Sequence, residues 1–381
     1  MKKVGVITYH AAHNNGSYLQ AYALQKKISS MDGYDCEIIN YISKEQKELY
    51  AVWRKNDSLR EFVKNIFIAF HYKMLKKRHS DFESMRERMN LSSEEYHTIK
   101  ELSETENKYD IFVSGSDQIW NMKAWDYSDA YFLCFVNKKK KISYASSFGG
   151  LINQISEADK ERIRFFLASY AAIGVRENVG KAFINSFSDA KVDVVLDPTF
   201  LLEREDYEKI CSERLIKEEY IFLYSIFAIE FNKSVMNVAK RFSEIYKLPV
   251  YVLYTGNKVF RVTKYGFKIL EHAAPNHFLS MIKYAKYVLS SSFHGTVFSI
   301  IFNKQFYTIR GIRDGIVSTD DRLTTVLKTL GLENRQLDES ISEERYMQQD
   351  IDYEALASKL EQLRKSSNQY LREALENEED M

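Results

Sequence analysis

Apolar and polar positions along the chain fall into two successive series of short buried runs. Val4 to Tyr9 reads as a buried first strand, Asn14-Asn-Gly-Ser17 breaks it, and Ala21, Leu24 and Ile28 then recur at helical spacing through Tyr18 to Ser29. Further strands are predicted at Glu37 to Tyr41, Ile111 to Val113, Ile142 to Ala145, Ile173 to Val175 and Val192 to Leu196. After Asp197-Pro198 the chain turns polar through Glu203 to Glu219. A second series then begins at Ile221 to Tyr224, followed by Val250 to Tyr254, Tyr287 to Leu289 and Phe306 to Ile309. Strands alternating with helices imply parallel sheets, so the pattern predicts an α/β chain with a boundary near residues 205 to 218. Leu356, Leu360 and Leu363 predict a long charged surface helix over Tyr353 to Leu375.

Composition narrows the class. The 381 residues exceed one ordinary core, which fits two domains. Lys and Arg number 54 against 53 Asp and Glu, so no global basic field exists and nucleic acid is not an expected partner. Cys36, Cys134 and Cys211 are odd in number and form no CxxC pair, which suggests neither a disulfide frame nor a zinc site and fits a reducing cytoplasm. The N-terminus reaches polar His10 and Asn14 too soon for a signal peptide, and no run approaches the ~20 apolar residues of a spanning helix. No dense Asp, Glu or His cluster has metal-site spacing, so no required metal is expected.

Four segments carry candidate chemistry. Tyr287 to Leu289 hands over through three serines to Phe293-His-Gly-Thr296, placing His294 at a strand's carboxyl end, where open α/β sheets bind ligands. Amides of Gly295 and Thr296 at a helix start suit a phosphate or carboxylate, and a structural histidine is the competing reading. In the loop Asn14-Asn15-Gly16-Ser17 leading to Gln20, Gly16 allows close backbone approach and Ser17 offers a helix cap. Val113-Ser-Gly-Ser-Asp-Gln-Ile-Trp-Asn121 gathers Ser114, Ser116, Asp117, Gln118 and Asn121 around Trp120. That density suits sugar hydroxyls with a tryptophan platform; a capping Asp117 and a core Trp120 are the alternative. Arg176, ending the strand Ile173 to Val175, offers a fork for a carboxylate or phosphate, or a salt bridge to Glu177 or Asp197. Separately, Trp53 to Arg78 reads as a basic amphipathic helix that would either lie on an anionic membrane or pack on the first domain.

Together these residues resemble one family, the polysaccharide pyruvyl transferases. The resemblance is carried by Asn15-Gly16-Ser17, Leu19 to Leu24, Ser114-Gly-Ser-Asp-Gln-Ile-Trp-Asn121, Val175-Arg176-Glu177, Leu196-Asp-Pro-Thr199 and Ser292-Phe-His-Gly-Thr296. It continues into Asp321-Arg322-Leu323 and Leu330 to Arg335, and so spans most of the chain. It implies an α/β fold of the GT-B type, two Rossmann-like domains facing across a cleft with a C-terminal helix. The division would be residues 1–210 on the acceptor side, 211–345 on the donor side, and a helix in 346–381 that crosses back to the first domain.

The implied activity transfers the pyruvyl unit of phosphoenolpyruvate onto two hydroxyls of a sugar in capsule, exopolysaccharide or cell-wall glycan, as a ketal and without a cofactor. By the resemblance His294 is the general acid or base, since an imidazole ordinarily exchanges protons near neutral pH. Arg176, Ser292, Gly295, Thr296 and Arg322 would bind the donor. Asn15, Gly16, Ser17, Gln20, Ser116, Asp117, Gln118, Trp120 and Asn121 would face the acceptor. Some relatives carry an arginine where this chain has Ser292, and Arg261, Arg310, Arg313 or Arg322 would then take its role. The acceptor would be a sugar precursor, lipid-linked in one version, met in the cytoplasm or at the inner face of the plasma membrane. A glycosyltransferase using a nucleotide sugar and a non-catalytic glycan-binding protein remain the alternatives.

Overall fold

The first apolar series builds one sheet. In the computed structural model, β1 (Lys2–Ile7), β2 (Tyr34–Tyr41), β3 (Leu91–Tyr96), β4 (Ile111–Ser114), β5 (Lys140–Ser146), β6 (Ala172–Val175) and β7 (Val192–Val194) pair in the order β3-β2-β1-β4-β5-β6-β7. Every pairing is parallel. Residues 1–53, 58–225, 233–254, 262–310, 312–313, 316–317, 321–340 and 349–377 are described. The central strands are buried on both faces, which is why Val4, Val6, Ile7, Phe112 and Val113 read as continuous apolar runs. β3 escapes the pattern. Its sequence Leu-Ser-Ser-Glu-Glu-Tyr lies at the sheet edge with its middle exposed, so no apolar alternation marks it.

The second series builds a second sheet. β8 (Ile221–Tyr224), β9 (Val250–Leu253), β10 (Lys268–Leu270), β11 (Tyr287–Ser290) and β12 (Gln305–Ile309) are joined by a late strand, β15 (Gln336–Leu337), in the order β10-β9-β8-β11-β12-β15. These pairings are also parallel. A separate antiparallel ribbon joins β13 (Ile312–Arg313) to β14 (Ile316–Val317). Counted from its own first strand, each sheet runs third, second, first, fourth, fifth, sixth, the doubly wound Rossmann-like order. The fold is therefore α/β with two Rossmann-like units.

In each sheet the direction of winding reverses between the first and fourth strands, the place where such folds bind ligands. Register makes the strands at that point end level: Ile7 lies opposite Ser114 in the first sheet, and Ser290 opposite Tyr224 in the second. The loops after β1 and β4 therefore leave the first sheet as neighbours, as do those after β8 and β11 in the second.

The first unit comprises Met1–Tyr50, Arg86–Leu202 and Lys359–Met381, and the second comprises Ala51–Met85 and Glu203–Ser358. Residues 51–85, placed with the first domain by the uninterrupted sequence reading, thus group with the second unit, where Met74 and Leu75 pack on its core. Periodicity marks an apolar face but not which core covers it. The single helix expected over Trp53 to Arg78 is two, Leu59–Phe70 and Tyr72–Arg86. Phe62, Ile66 and Phe70 on the first of them are 51%, 44% and 81% exposed, whereas Ile68 is buried. Arg54, Lys55 and Asp57 lie outside the described residues.

The last helix, Tyr353–Glu376, matches the expected long surface helix to within one residue, and its apolar stripe is buried. From residue 359 it belongs to the first unit, where Leu371 and Leu375 are fully buried. Ser367 Oγ accepts from the Leu196 amide at 3.0 Å, Arg364 Nε donates to the Phe200 carbonyl at 2.8 Å, and the Tyr370 hydroxyl donates to the Ser143 carbonyl at 2.9 Å. Tyr370 packs against Gly174 so closely that a Cβ there would stand 2.7 Å from its ring. Among the described residues no helix is long and apolar enough to cross a membrane.

Candidate functional site

At the switch point of the first unit, the loops after β1 and β4 are tied together by side chains. The helix Asn15–Ser29 starts three residues earlier than its apolar spacing suggests, because Asn14 caps it: Asn14 Oδ1 accepts from the amides of Gly16 at 2.9 Å and Ser17 at 3.4 Å. Ser17, expected as the cap, instead donates its hydroxyl to Asp117 Oδ2 at 2.6 Å. Gln20 Nε2 donates to Thr8 Oγ1 at 3.0 Å and to the Ser17 carbonyl at 2.9 Å, while Thr8 Oγ1 donates to the Ser116 carbonyl at 2.9 Å. Asp117 adopts φ of 76°, a left-handed backbone that its short side chain tolerates, and Asp117 Oδ1 accepts from the Gln118 amide at 2.9 Å. Asn15, Gly16, Ser17, Gln20, Ser116 and Asp117 thus form one buried polar cluster, while Gln118 and Asn121 are half-buried at its margin.

Two expectations change here. Trp120 is core: its ring is fully buried, stacked on Phe132 with centroids 4.9 Å apart, and Nε1 donates to Ser114 Oγ at 3.1 Å. It has no surface left for a sugar, so the acceptor-platform assignment is withdrawn. Arg176 is equally enclosed. Its guanidinium stands 2.9 Å from Asp197, 3.6 Å from Glu177 and 3.8 Å from Asp117, and all four side chains are at most 10% exposed. These internal carboxylates, rather than a donor, account for its charge. Asp197 in turn accepts from the Thr199 amide at 3.0 Å and hydroxyl at 2.6 Å, and Glu177 from Ser147 Oγ at 2.5 Å. His10, which sequence spacing did not single out, sits wholly buried just beyond β1. Burial pushes its imidazole down to about 4, against the opposing hydrogen bond with Asn40.

In the second unit the switch point holds the segment Ser290 to Thr296. Ser225 and Ser291 hydroxyls, from the loops after β8 and β11, lie 2.7 Å apart. Ser292 is the extended residue before the helix Phe293–Ile301, and its amide donates to Ser290 Oγ at 3.0 Å. His294 is the second residue of that helix, buried, with its ring edge-on to Phe293 at 5.1 Å. Gly295 is required by close packing: a Cβ there would fall 2.1 Å from Ser290 Oγ and 3.0 Å from Tyr224 Cδ1. Thr296 does not offer its amide to a ligand, because that N–H donates to the Ser292 carbonyl at 3.1 Å, and its hydroxyl lies 3.1 Å from that of Thr308. The amides that precede the first intrahelical bond are those of Phe293, His294 and Gly295.

Of the arginines considered for donor anchoring, Arg322 lies over the Phe293 ring, its Cζ 5.7 Å from the centroid, next to His294 in sequence. Arg310 is held by Asp338 at 3.0 Å. Arg261 lies outside the described residues, as does the side chain of Arg313.

A model of the family described as polysaccharide pyruvyl transferase matches residues 14–311. No curated protein matches the chain. Solved structures with a similar fold include a UDP-GlcNAc 2-epimerase from Neisseria meningitidis bound to UDP-GlcNAc, 11% identical, covering 98% of this chain and 99% of that one at a TM-score of 0.52. The UDP-GlcNAc 2-epimerase from Methanocaldococcus jannaschii is 13% identical, with 98% and 100% covered and a TM-score of 0.52. A putative UDP-N-acetylglucosamine 2-epimerase from Listeria monocytogenes is 8% identical, with 100% and 98% covered and a TM-score of 0.54. At these identities the likeness concerns the fold, which is GT-B-like.

Proposed function

The chain belongs to the polysaccharide pyruvyl transferase family, and on that premise we propose that it transfers the pyruvyl unit of phosphoenolpyruvate onto two hydroxyls of a cell-surface sugar precursor, forming a pyruvate ketal. The observation that carries this reading is His294, at the start of the helix that follows β11 at the second unit's switch point. The ketal requires a proton delivered to the methylene carbon of phosphoenolpyruvate and one sugar oxygen added at its C2. A second sugar oxygen then replaces phosphate at the same carbon. Two hydroxyl protons are released, of which one balances the methyl group and the other leaves with phosphate. His294 is assigned as the group that moves these protons.

Donor anions fit the amides of Phe293, His294 and Gly295, which end a helix dipole, with Arg322 as the nearby cation. In the first unit the acceptor role falls to the Asn15, Ser17 and Asp117 cluster, with Gln118 and Asn121 at its margin. Phosphate release on mixing the protein, phosphoenolpyruvate and a panel of glycosides tests the reaction, and product mass identifies it. A gain of one pyruvate supports the ketal. A gain of a hexose from a nucleotide sugar favours a glycosyltransferase, and no product despite glycan binding favours a binding protein.

The acceptor is further proposed to be lipid-borne and met at the inner face of the plasma membrane. Supporting this, Phe62, Ile66 and Phe70 form an exposed apolar row at a spacing of four, and Lys73 and Lys76 on the next helix are exposed. Sedimentation with phosphatidylglycerol vesicles, weakening as salt rises and lost when the three apolar residues become serine, is the expected result. Protein left in the supernatant at low salt rejects the membrane contact.

A further inference from the structure

Two histidines of the second unit have no role in the reaction above. His272 lies two residues beyond the end of β10, at the carboxyl edge of the sheet, and His277 is the third residue of the helix Pro275–Tyr284. The helix Tyr72–Arg86 brings Asp81 to the same place. One ring nitrogen of each histidine and a carboxylate oxygen of Asp81 lie within 4.8 Å of one another, and the two rings stand 4.7 Å apart between centroids. The Nδ1 atoms of both rings are buried without a hydrogen-bond partner. Buried polar atoms are ordinarily hydrogen-bonded, and a ligand held between the two adjacent rings would satisfy both.

We propose that Asp81, His272 and His277 form a binding site for a divalent transition cation of zinc-like preference. Two imidazoles and one carboxylate are the donor set that such ions favour over magnesium or calcium, which take oxygen ligands. Donors on a tetrahedral ion sit about 3.4 Å apart for bonds of about 2.0–2.1 Å, so small side-chain rotations close the triad. Asp81 is held by Lys77 Nζ at 3.2 Å, on a side chain 39% exposed that can swing into solvent as the ion takes its place. Three protein ligands leave a coordination position for water or an anionic group. The site lies within one unit and does not rest on the pyruvyl-transfer reading.

The test is titration of the full chain with cobalt(II), whose visible d–d absorption reports coordination number, followed by competition with zinc. One saturable equivalent with a four- or five-coordinate spectrum, displaced by zinc, is expected. His272→Ala and His277→Ala should each weaken binding by more than the roughly 10- to 100-fold typical of losing an outer-shell partner. Asp81→Asn, which keeps the side chain's shape, should weaken it with far-ultraviolet circular dichroism unchanged. Absence of a saturable equivalent in the unaltered protein overturns the proposal, and so does an undiminished spectrum in Asp81→Asn and in the folded histidine variants.

Discussion

The Arg176 guanidinium lies 2.9 Å from Asp197 and 3.6 Å from Glu177, carboxylates at most 2% exposed, so its removal strands buried charge. Arg176→Ala is expected to destabilise the protein by about 3–5 kcal/mol, read from the denaturant midpoint. A normal midpoint with a raised KM for phosphoenolpyruvate would instead mark a donor contact. His294→Gln should act in the opposite way, leaving the midpoint unchanged and lowering turnover by about 100- to 10,000-fold. Turnover close to the parent's removes His294 from proton transfer. His10 predicts a pH dependence. Because the fold lowers its imidazole from 6.5 to about 4, the unfolded chain binds the proton first as pH falls. Stability is therefore retained above pH 6.5 and lost as pH falls toward 4, by roughly 3 kcal/mol for this group. His10→Gln should flatten that slope in denaturation measured across the window; an unchanged slope assigns it to other groups.

Where β11 meets the helix Phe293–Ile301, the contact has no room for a methyl group. Gly295→Ala would place Cβ 2.1 Å from Ser290 Oγ and 3.0 Å from Ser290 Cβ, so strand and helix must part. A loss of about 1–3 kcal/mol is expected, with turnover falling as His294 shifts on the same helix. Adding Ser290→Ala removes the nearer clash and should restore part of the stability. A double-mutant cycle checks this, and strictly additive losses would place the strain elsewhere. The edge strands teach a different lesson about elements. β3 pairs on one side only and exposes much of its length, so polar residues suffice there and leave no apolar signal. β1, β4, β8 and β11, enclosed on both faces, announce themselves as apolar runs.

For the whole molecule, the chain's last stretch completes the first unit. Ending the protein at Ser358 removes the bonds from Arg364, Ser367 and Tyr370 and the buried Leu371 and Leu375. Amides of β5 and β6 should then exchange hydrogen faster while those of β8 and β11 keep their protection; equal protection in both sheets would make the helix dispensable. The sequence by itself determined the α/β class, the central strands and the loops rich in Asn15, Asp117 and His294, because strand burial and loop chemistry are written within a few neighbouring residues. Only the tertiary structure decided that Trp120 is core, that Arg176 answers internal carboxylates, that residues 51–85 group with the second unit, and that Asp81 meets His272 and His277. Each of these depends on which distant segment a side chain meets. Parallel sheets bring such segments together through crossover connections whose partners leave no local periodicity to read.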